Sequence, residues 1–368
     1  MPAVDFDHGR RLASAAAAAE EAGLDALLVA PGPDLVYLAG YDAPPLERLT
    51  ALVVRSGADS VLVVPRLEGP RAAASAAGAL VALETWPDGA DPYDAVRSLV
   101  QGGSRFGVSD RMWASHLIGL QAALPDSAFV PASHALSGLR ARKEPGEIHL
   151  LSRAGRAADE AFSRICREGL AGRTEEGVAR SLAGLLVDAG HQSAAFVIVA
   201  TGPNGASPHH EPGPRGIRAG HAVVLDFGGR VGGYCSDITR TVSVGNPGGE
   251  VREVHEIVHL AQEAGFRAVA PGVPAEDVDR AAREVIEEAG YGDAFVHRTG
   301  HGIGLEEHEP PYIVEGNREP LDVGMCFSIE PGIYLAGRFG VRIEDIVAIT
   351  EDGVVRLNHA PRDLTVVG

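Results

Sequence analysis

Short apolar runs alternate with amphipathic stretches over the first third of the chain. Apolar runs of four to eight residues bounded by polar or turn residues are typical of buried strands. Four such runs predict strands: DALLVA (25–30), LTALVVR (49–55), SVLVVP (60–65) and RFGVSD (105–110). The intervening stretches predict helices near 8–22, 69–78, 91–101 and 113–123. This alternation of strands and helices indicates an α/β domain.

A polar, basic segment, SGLRARKEPGE, breaks this pattern at residues 137–147. Pro145 and Gly146 indicate a linker there, and a long helix is predicted from residue 147 to about residue 168. A length of 368 residues also favours two domains. We therefore predict three parts: an N-terminal domain over 1–136, a linker over 137–147 and a second domain over 148–368.

The second domain contains a repeat at an offset of 100 residues. Residues 172–190 (GRTEEGVARSLAGLLVDAG) align with residues 272–290 (GVPAEDVDRAAREVIEEAG), and six of the 19 positions match. Each copy predicts a helix closed by a glycine. Two amphipathic helices that both end in Ala-Gly can also resemble each other by chance. The sequence that follows each copy argues against chance, because Gly220 then pairs with Gly324 and Asp226 with Glu330.

Five residues that can bind metal lie in the last part of the chain. They are Asp226 in AVVLDFGG, Asp237 in YCSDITRT, His301 in RTGHGIGLEEHE, Glu330 in FSIEPGIY and Glu344 in VRIEDIV. Three of the carboxylates lie in apolar runs that predict strands, where a lone ionised carboxylate is costly to desolvate. Two divalent cations shared by the five residues would remove that cost. An oxygen-rich set with one nitrogen suits Mn, Co, Fe or Zn.

The repeat distributes these residues between two related α+β halves. Asp237 corresponds approximately to Glu344 in this register, and His209 corresponds to His308. Each half then contributes two carboxylates and one flanking histidine, and His301 is an asymmetric fifth ligand. A cleft between two such halves is the expected place for two metal ions.

Composition narrows the classes of partner. The chain has 32 basic and 50 acidic side chains, a formal charge of −18, which argues against nucleic acid and anionic membranes. Its three cysteines are far apart and lack CxxC spacing, as in reduced cytoplasmic proteins. No apolar run approaches the length of about 18 residues that a membrane span requires. We therefore expect a cytoplasmic protein.

From about Arg142 to its end, the chain specifically resembles a known protein family. The resemblance rests on five motifs that occur in this order: LDFGG, YCSDITRT, GHGIGLEEHE, SIEPGIY and VRIED. The chain resembles the metallopeptidase family that includes prolidase (Xaa-Pro dipeptidase), aminopeptidase P and methionine aminopeptidase. The resemblance implies an α+β pita-bread catalytic domain with an internal pseudo-two-fold repeat. The preceding part, including YLAGYD (37–42), resembles the smaller α/β creatinase/prolidase-type domain, which favours the proline-directed branch of the family.

The resemblance also implies a centre of two divalent ions, with Mn expected first and Co, Zn or Fe as alternatives. Asp237 and Glu344 would bridge both ions. Asp226 would bind one ion, and His301 with Glu330 would bind the other. Thr239, two residues after Asp237, is expected to support the ligands through its hydroxyl.

Catalytic roles follow from the chemistry of an X-Pro bond, a tertiary amide whose leaving nitrogen has no N–H. Two metal ions would convert a bridging water to hydroxide and polarise the carbonyl group. Glu330 is expected to pass the proton from that water to the proline nitrogen. His209 and His308 match the family's active-site histidines and would stabilise the developing oxyanion or orient the substrate. His210 is expected to be only a neighbour.

One position departs from the family pattern. Prolidases often have an arginine four residues after the second active-site histidine, where it binds the free carboxylate of the dipeptide. Here that position is Tyr312, in HEPPYIVEGN. Arg342, two residues before Glu344, is the candidate to bind the carboxylate instead. A structural ion pair between Arg342 and the metal carboxylates is an equal alternative.

The expected function is that of a prolidase-type, metal-dependent Xaa-Pro dipeptidase. Its substrate would be a peptide with proline at the second position, and the family resemblance implies a homodimer. An aminopeptidase P acting on longer peptides is one alternative. A non-catalytic binding module of the same fold is another, and hydrolysis of an ester or C–N bond in a small metabolite, as in creatinase relatives, is a third.

Overall fold

A computed structural model describes residues 6–368, so the first five residues of the predicted N-terminal domain lie outside the described part. The chain divides into two compact units, residues 1–140 and 141–368. Among the helices described, none is long and apolar enough to cross a membrane.

The N-terminal unit is built on one mixed six-stranded sheet. Its strands are β1 (Ala26–Val29), β2 (Ala51–Arg55), β3 (Ala58–Pro65), β4 (Ala82–Trp86), β5 (Arg105–Val108) and β6 (Ala128–Pro131). They are ordered β4-β3-β2-β1-β5-β6, with antiparallel pairing of β2 to both β1 and β3 and parallel pairing elsewhere. The four predicted strands are confirmed as β1, β2, β3 and β5. The pattern missed β4 and β6, the two edge strands, because most of their residues are at least partly exposed.

The helices of this region also follow most of the predictions. They are α1 (His8–Glu21), α2 (Pro33–Ala39), α3 (Gly69–Ala73), α4 (Ala76–Leu80), α5 (Pro92–Leu99), α6 (Ala114–Ala123) and α7 (Ser133–Ala141). The helix predicted near 69–78 is divided into α3 and α4. Helices α2 and α7 were not predicted. Apolar residues of α5 and α6 pack against the sheet in one buried cluster, which includes Val96 and Leu120.

The predicted linker over 137–147 is largely helical, because α7 continues to Ala141 and the next helix, α8, begins at Pro145. Proline is favoured in the first turn of a helix, where its missing N–H leaves no hydrogen bond unmade. Glu144 and Glu147 add a reciprocal capping box at the same end. Pro145 and Gly146 therefore form the first turn of α8.

In each half of the second unit, helices pack against strands. Its helices are α8 (Pro145–Glu168), α9 (Glu175–Asp188), α10 (Gly249–Ala268) and α11 (Ala275–Glu288). Its strands are β7 (Ala194–Thr201), β8 (Ala222–Val231), β9 (Tyr234–Cys235), β10 (Ile238–Val244), β11 (Gly300–Gly302), β12 (Glu309–Ile313), β13 (Cys326–Ile329), β14 (Gly332–Leu335), β15 (Phe339–Arg342), β16 (Asp345–Thr350), β17 (Gly353–Arg356) and β18 (Thr365–Val367).

These strands form two principal sheets, one for each half of the repeat. The first has the order β18-β10-β8-β7 with β9 paired to β8, and the second has the order β12-β11-β13-β16-β17. A two-stranded sheet, β14-β15, accompanies them. Helices α8 and α9 pack on the first sheet through one apolar cluster, and a second cluster combines β13 and β16 with residues of α11.

The internal repeat is visible in the backbone hydrogen bonds. Helices α9 and α11 have 14 residues each and begin 100 residues apart. The N–H of Gly172 donates to the carbonyl of Ile217 at 3.0 Å, and the N–H of Gly272 donates to the carbonyl of Leu321 at 2.7 Å. Both glycines have positive φ, 77° and 85°, a conformation that favours glycine. The second unit is therefore an α+β pita-bread domain with a pseudo-two-fold repeat, and chance does not account for the matching sequences.

The two halves meet where β10 approaches β16. An isolated antiparallel bridge pairs Thr239 with Glu344, and the Glu344 N–H donates to the Thr239 carbonyl at 3.0 Å. This contact brings the central strands of the two sheets together at one point.

Candidate metal centre

The four predicted carboxylate ligands lie on the central strands of the two sheets or next to them. Asp226 lies within β8, directly across the ladder from Thr239 of β10. Asp237 immediately precedes β10, Glu330 immediately follows β13, and Glu344 immediately precedes β16. Each half thus supplies two carboxylates, as the repeat predicted. The bridge between β10 and β16 brings the two pairs to the same place.

These carboxylates and His301 converge into a compact, buried cluster. Asp226, Asp237, His301 and Glu344 are between 2% and 7% exposed. The cluster contains three overlapping sets whose ligand atoms lie within 4.8 Å of one another: Asp226 with Asp237 and Glu344, His301 with Glu330 and Glu344, and Asp237 with His301 and His308. Asp237, His301 and Glu344 each belong to two of these sets.

His301 presents one particular nitrogen to the carboxylates. Its Nδ1 lies 3.0 Å from the Gly302 carbonyl, so that nitrogen is the donor. Its Nε2 faces the cluster, 3.2 Å from Glu330 Oε1 and 3.8 Å from Asp237 Oδ2. A backbone carbonyl that fixes the tautomer in this way is the usual support of a metal-binding histidine.

The pKa values of the cluster reflect crowded negative charge in a buried place. Burial raises the pKa of Asp237 and of Glu344 well above the ordinary value, and neighbouring carboxylates raise both further. Burial also raises the pKa of Asp226, and Arg342 opposes that shift. For Glu330 burial acts in the same direction, but the hydrogen bond and charge of His301 outweigh it and lower the pKa to about 2.

This donor set fits divalent cations. Glu344 Oε2 accepts a hydrogen bond from the Thr239 hydroxyl at 2.7 Å, which is the support expected of Thr239. Glu344 Oε1 is buried and accepts none from any described residue. An unsatisfied buried carboxylate oxygen beside three further carboxylates is unfavourable for the protein alone. Divalent cations would remove both the unmet hydrogen-bonding capacity and the excess negative charge.

Arg342 is buried beside the cluster, lines the same cleft and uses all three of its nitrogen atoms in hydrogen bonds. Nε donates to the Thr239 hydroxyl at 3.1 Å, Nη1 donates to the Tyr334 hydroxyl at 2.8 Å, and Nη2 donates to the Asp226 carboxylate. Of the two roles that the sequence left open for Arg342, these contacts favour the structural ion pair.

A cleft of about 710 Å³ opens onto the cluster and is lined by both predicted active-site histidines. His209 is exposed in the loop before β8, and the His308 ring lies 4.0 Å from the His301 ring between centroids. Desolvation first, and then the neighbouring His301, lower the pKa of His308 to about 4. His308 is therefore neutral at physiological pH. The adjacent His210 instead contacts buried Glu175, at 2.9 Å between Nε2 and Oε2.

Three further residues at the site, His297, Arg298 and Tyr334, were not predicted from the sequence. His297 and Arg298 line the cleft just before His301, and the His297 Nε2 lies 2.7 Å from the Tyr334 hydroxyl. The Arg298 guanidinium lies 4.4 Å from the centre of the Tyr312 ring, a cation–π contact. Their closeness in sequence to His301 and Glu330 was the available signal.

A pita-bread domain with a buried cluster of carboxylates and histidine at the junction of its halves defines a metallopeptidase. Residues 149–351 match Metallopeptidase family M24, and residues 11–142 match the Creatinase/Prolidase N-terminal domain. The chain belongs to metallopeptidase family M24 and carries a creatinase/prolidase-type N-terminal domain.

Similar proteins extend over the whole chain. "Probable dipeptidase PepE" of Mycobacterium tuberculosis (strain ATCC 25618 / H37Rv) is 50% identical over 364 residues, 98% of this chain and 96% of the relative. The crystal structure of dipeptidase PepE from Mycobacterium ulcerans has a TM-score of 0.94 and 48% identity, covering 99% of this chain and all of the other. The crystal structure of recombinant prolidase from Thermococcus sibiricus has a TM-score of 0.93 and 38% identity, with the same coverage.

The close approach of Gly300 to β13 leads to a stability prediction. A Cβ at Gly300 would lie 1.9 Å from the Ser328 carbonyl oxygen, and the Ser328 hydroxyl accepts the His301 N–H at 2.9 Å. We expect Gly300→Ala to lower the free energy of unfolding by about 1–3 kcal/mol in urea. Gly184→Ala is the control: Gly184 is helical with open space around it, so the free energy should rise by about 0.5–1 kcal/mol. Equal effects of the two changes would contradict this account of the site.

The repulsion among the carboxylates leads to a second prediction. Without metal, Glu344→Gln should melt at a higher temperature than the wild type, because the change removes one of four crowded carboxylates. Each kcal/mol of repulsion removed corresponds to about 2–4 °C for a domain of this size. With Mn²⁺ added, the order should reverse, because the variant loses a ligand. Differential scanning calorimetry with and without chelator measures both effects, and a metal-free variant less stable than the wild type would refute the prediction.

Proposed function

We propose that this protein is a dinuclear, metal-dependent Xaa-Pro dipeptidase of the prolidase type. One observation carries the proposal: Asp226, Asp237, His301, Glu330 and Glu344 converge at one end of a cleft that His209 and His308 also line. The names of the relatives, a dipeptidase and a prolidase, support the same reaction class. A catalytically idle binding module would not need this set of ligands intact.

Asp226, Asp237, His301, Glu330 and Glu344 would hold two divalent ions, and we propose Mn²⁺ as the first candidate. Such ions act as Lewis acids toward a carbonyl group and lower the pKa of a water molecule to near 7. The oxygen-rich donor set with a single imidazole is compatible with Mn²⁺, Co²⁺, Fe²⁺ or Zn²⁺.

The chain's own residues handle the protons of the reaction. Glu330 would accept a proton from the attacking water and deliver it to the proline nitrogen, which leaves as a secondary amine once its bond to the carbonyl carbon breaks. The lowered pKa of Glu330 keeps it ionised, as a proton acceptor has to be, but also makes the carboxylate a weak base. His308, neutral because of its low pKa, would donate an N–H hydrogen bond to the developing oxyanion. His209, in the loop before β8, would orient the substrate.

A dipeptide carries a free carboxylate that needs a cationic partner. The nitrogen atoms of Arg342 are engaged with Thr239, Tyr334 and Asp226. We therefore propose that Arg298, whose guanidinium lines the cleft and stacks on Tyr312, binds that carboxylate. Arg342 would instead hold Asp226 in place. On this proposal Tyr312 acts on the substrate only through Arg298.

The experiment that tests the function compares Ala-Pro with Ala-Pro-Ala-Ala. Metal-stripped protein is resupplied with Mn²⁺, Co²⁺ or Zn²⁺, and released alanine is measured. We expect Mn²⁺ to restore cleavage of Ala-Pro with little cleavage of the tetrapeptide. Glu330→Gln, which removes a ligand and the proton acceptor together, should turn over at most about one-hundredth as fast. Preference for the tetrapeptide would make the protein an aminopeptidase P. Metal binding without cleavage of either peptide would favour the binding module.

Replacement of Arg298 tests the carboxylate site. A hydrogen bond to a charged group contributes about 1.5–3 kcal/mol, so Arg298→Ala should raise KM for Ala-Pro by about 10- to 100-fold. Ala-prolinamide lacks the carboxylate, and its kcat/KM should change little. Arg318→Ala is a matched control, because the Arg318 side chain is 86% exposed and does not line the cleft. An equal loss on both substrates would show that Arg298 does not read the carboxylate.

A further inference from the structure

Arg240 is a buried arginine on β10, three residues after Asp237, and it makes five hydrogen bonds. The side chain is 2% exposed. Nε donates to the Pro361 carbonyl at 2.8 Å. Nη1 donates to the carbonyls of Thr239 at 2.9 Å and Glu344 at 2.5 Å. Nη2 donates to the Ala360 carbonyl at 2.8 Å and to Asp345 Oδ1 at 2.6 Å. These five bonds use every N–H that a guanidinium has.

The charge of Arg240 is balanced within the same buried region. Its partner Asp345 is fully buried, and the other oxygen of that carboxylate lies 3.0 Å from Arg362 Nη1 and 3.3 Å from Arg356 Nε. A buried charge is tolerated when it is paired and hydrogen-bonded. Charge balance alone therefore does not explain why Arg240 also reaches four backbone carbonyls.

The two carbonyls that share Nη1 belong to opposite halves of the domain. Thr239 follows Asp237 by two residues on β10, and Glu344 is itself a proposed ligand at the start of β16. The backbone bridge between Thr239 and Glu344 joins these strands, and Nη1 spans the same two residues through their carbonyls. Arg240 thus restrains the separation of the strands that carry Asp237 and Glu344.

The remaining contacts tie a third segment to this junction. Ala360 and Pro361 precede β18, and their carbonyls accept from Arg240. The Ala360 N–H in turn donates to Asp159 of α8 at 3.0 Å. The segment before β18 therefore also holds the guanidinium in place. This restraint limits movement of β10 relative to β16.

We propose that Arg240 is a positioning residue that sets the spacing of Asp237 and Glu344 and thereby the affinity of the site for divalent cations. This inference rests on the metal centre of the proposed function. A lysine cannot replace the arginine in this role, because its three donors sit on one nitrogen and cannot reach the five acceptors that the planar guanidinium reaches from three nitrogen atoms.

The test measures metal binding by isothermal titration calorimetry of the full, metal-stripped chain with Mn²⁺. Supporting contacts of metal ligands typically contribute about 10- to 100-fold to affinity, and we expect Arg240→Lys to weaken Mn²⁺ binding by that factor. Arg356→Lys is the matched control, because Arg356 contacts the same Asp345 carboxylate but has no hydrogen bond to Thr239 or Glu344. It should bind Mn²⁺ like the wild type. For Arg240→Lys, kcat should fall more than KM rises.

Thermal unfolding separates positioning from a general structural role. If Arg240→Lys and Arg356→Lys melt at similarly reduced temperatures while both keep wild-type Mn²⁺ affinity, the inference is overturned. Arg240→Gln, which leaves Asp345 with Arg356 and Arg362, serves if the lysine variant does not fold, and the same loss of affinity is expected. Failure of both Arg240 variants to fold would also overturn the inference, since the residue would then act on the fold. A wild type that binds no Mn²⁺ would instead refute the proposed function.

Discussion

The structure of the catalytic unit depends on four carboxylates gathered in a place that water barely reaches. Each ionised carboxylate costs free energy to desolvate and repels the others. The chain compensates for part of this cost, because Arg342 pairs with Asp226 and the Thr239 hydroxyl donates to Glu344. Glu344 Oε1 receives no hydrogen bond from residues 6–368. Divalent cations would offset the excess negative charge at the junction of the two halves, and metal binding would then be coupled to folding there.

The internal repeat explains why each half contributes two carboxylates. It does not explain why the sets of ligands that they form differ. Asp226, Asp237 and Glu344 form a set of oxygen ligands only, whereas His301 adds a nitrogen to Glu330 and Glu344. His301 has no counterpart in the first half. Two ions held by such unequal donor sets would differ in acidity, so a symmetric frame would produce an asymmetric centre. Asymmetry of this kind suits a reaction in which one end of the peptide bond gains a nucleophile and the other gains a proton.

The elements that sequence reasoning identified are those with a strong local signal. Carboxylates inside apolar runs are energetically anomalous, and this is why the ligand positions could be proposed before any contact was known. Edge strands β4 and β6 lack a buried face to reveal them, and Pro145 with Gly146 can begin a helix as readily as end one. The orientation of an arginine has no local signature at all. Arg342 and Arg240 lie on neighbouring strands close to the ligands, yet only the folded chain distinguishes which carboxylate or carbonyl each one reaches.

The departure at Tyr312 is explained by the same reasoning. Tyr312 lies on β12 directly opposite His301 of β11, and His301 lines the cleft, so the side chain at position 312 lies next to a residue of the site. Arg298, a few residues before β11, places its guanidinium over the Tyr312 ring. Stacking on a flat ring limits the rotamers of the arginine and reduces the entropy lost when it binds an anion. A positive charge beside the cleft is thus compatible with a tyrosine at position 312, because what a carboxylate recognises is the location of the charge and not the strand that supplies it.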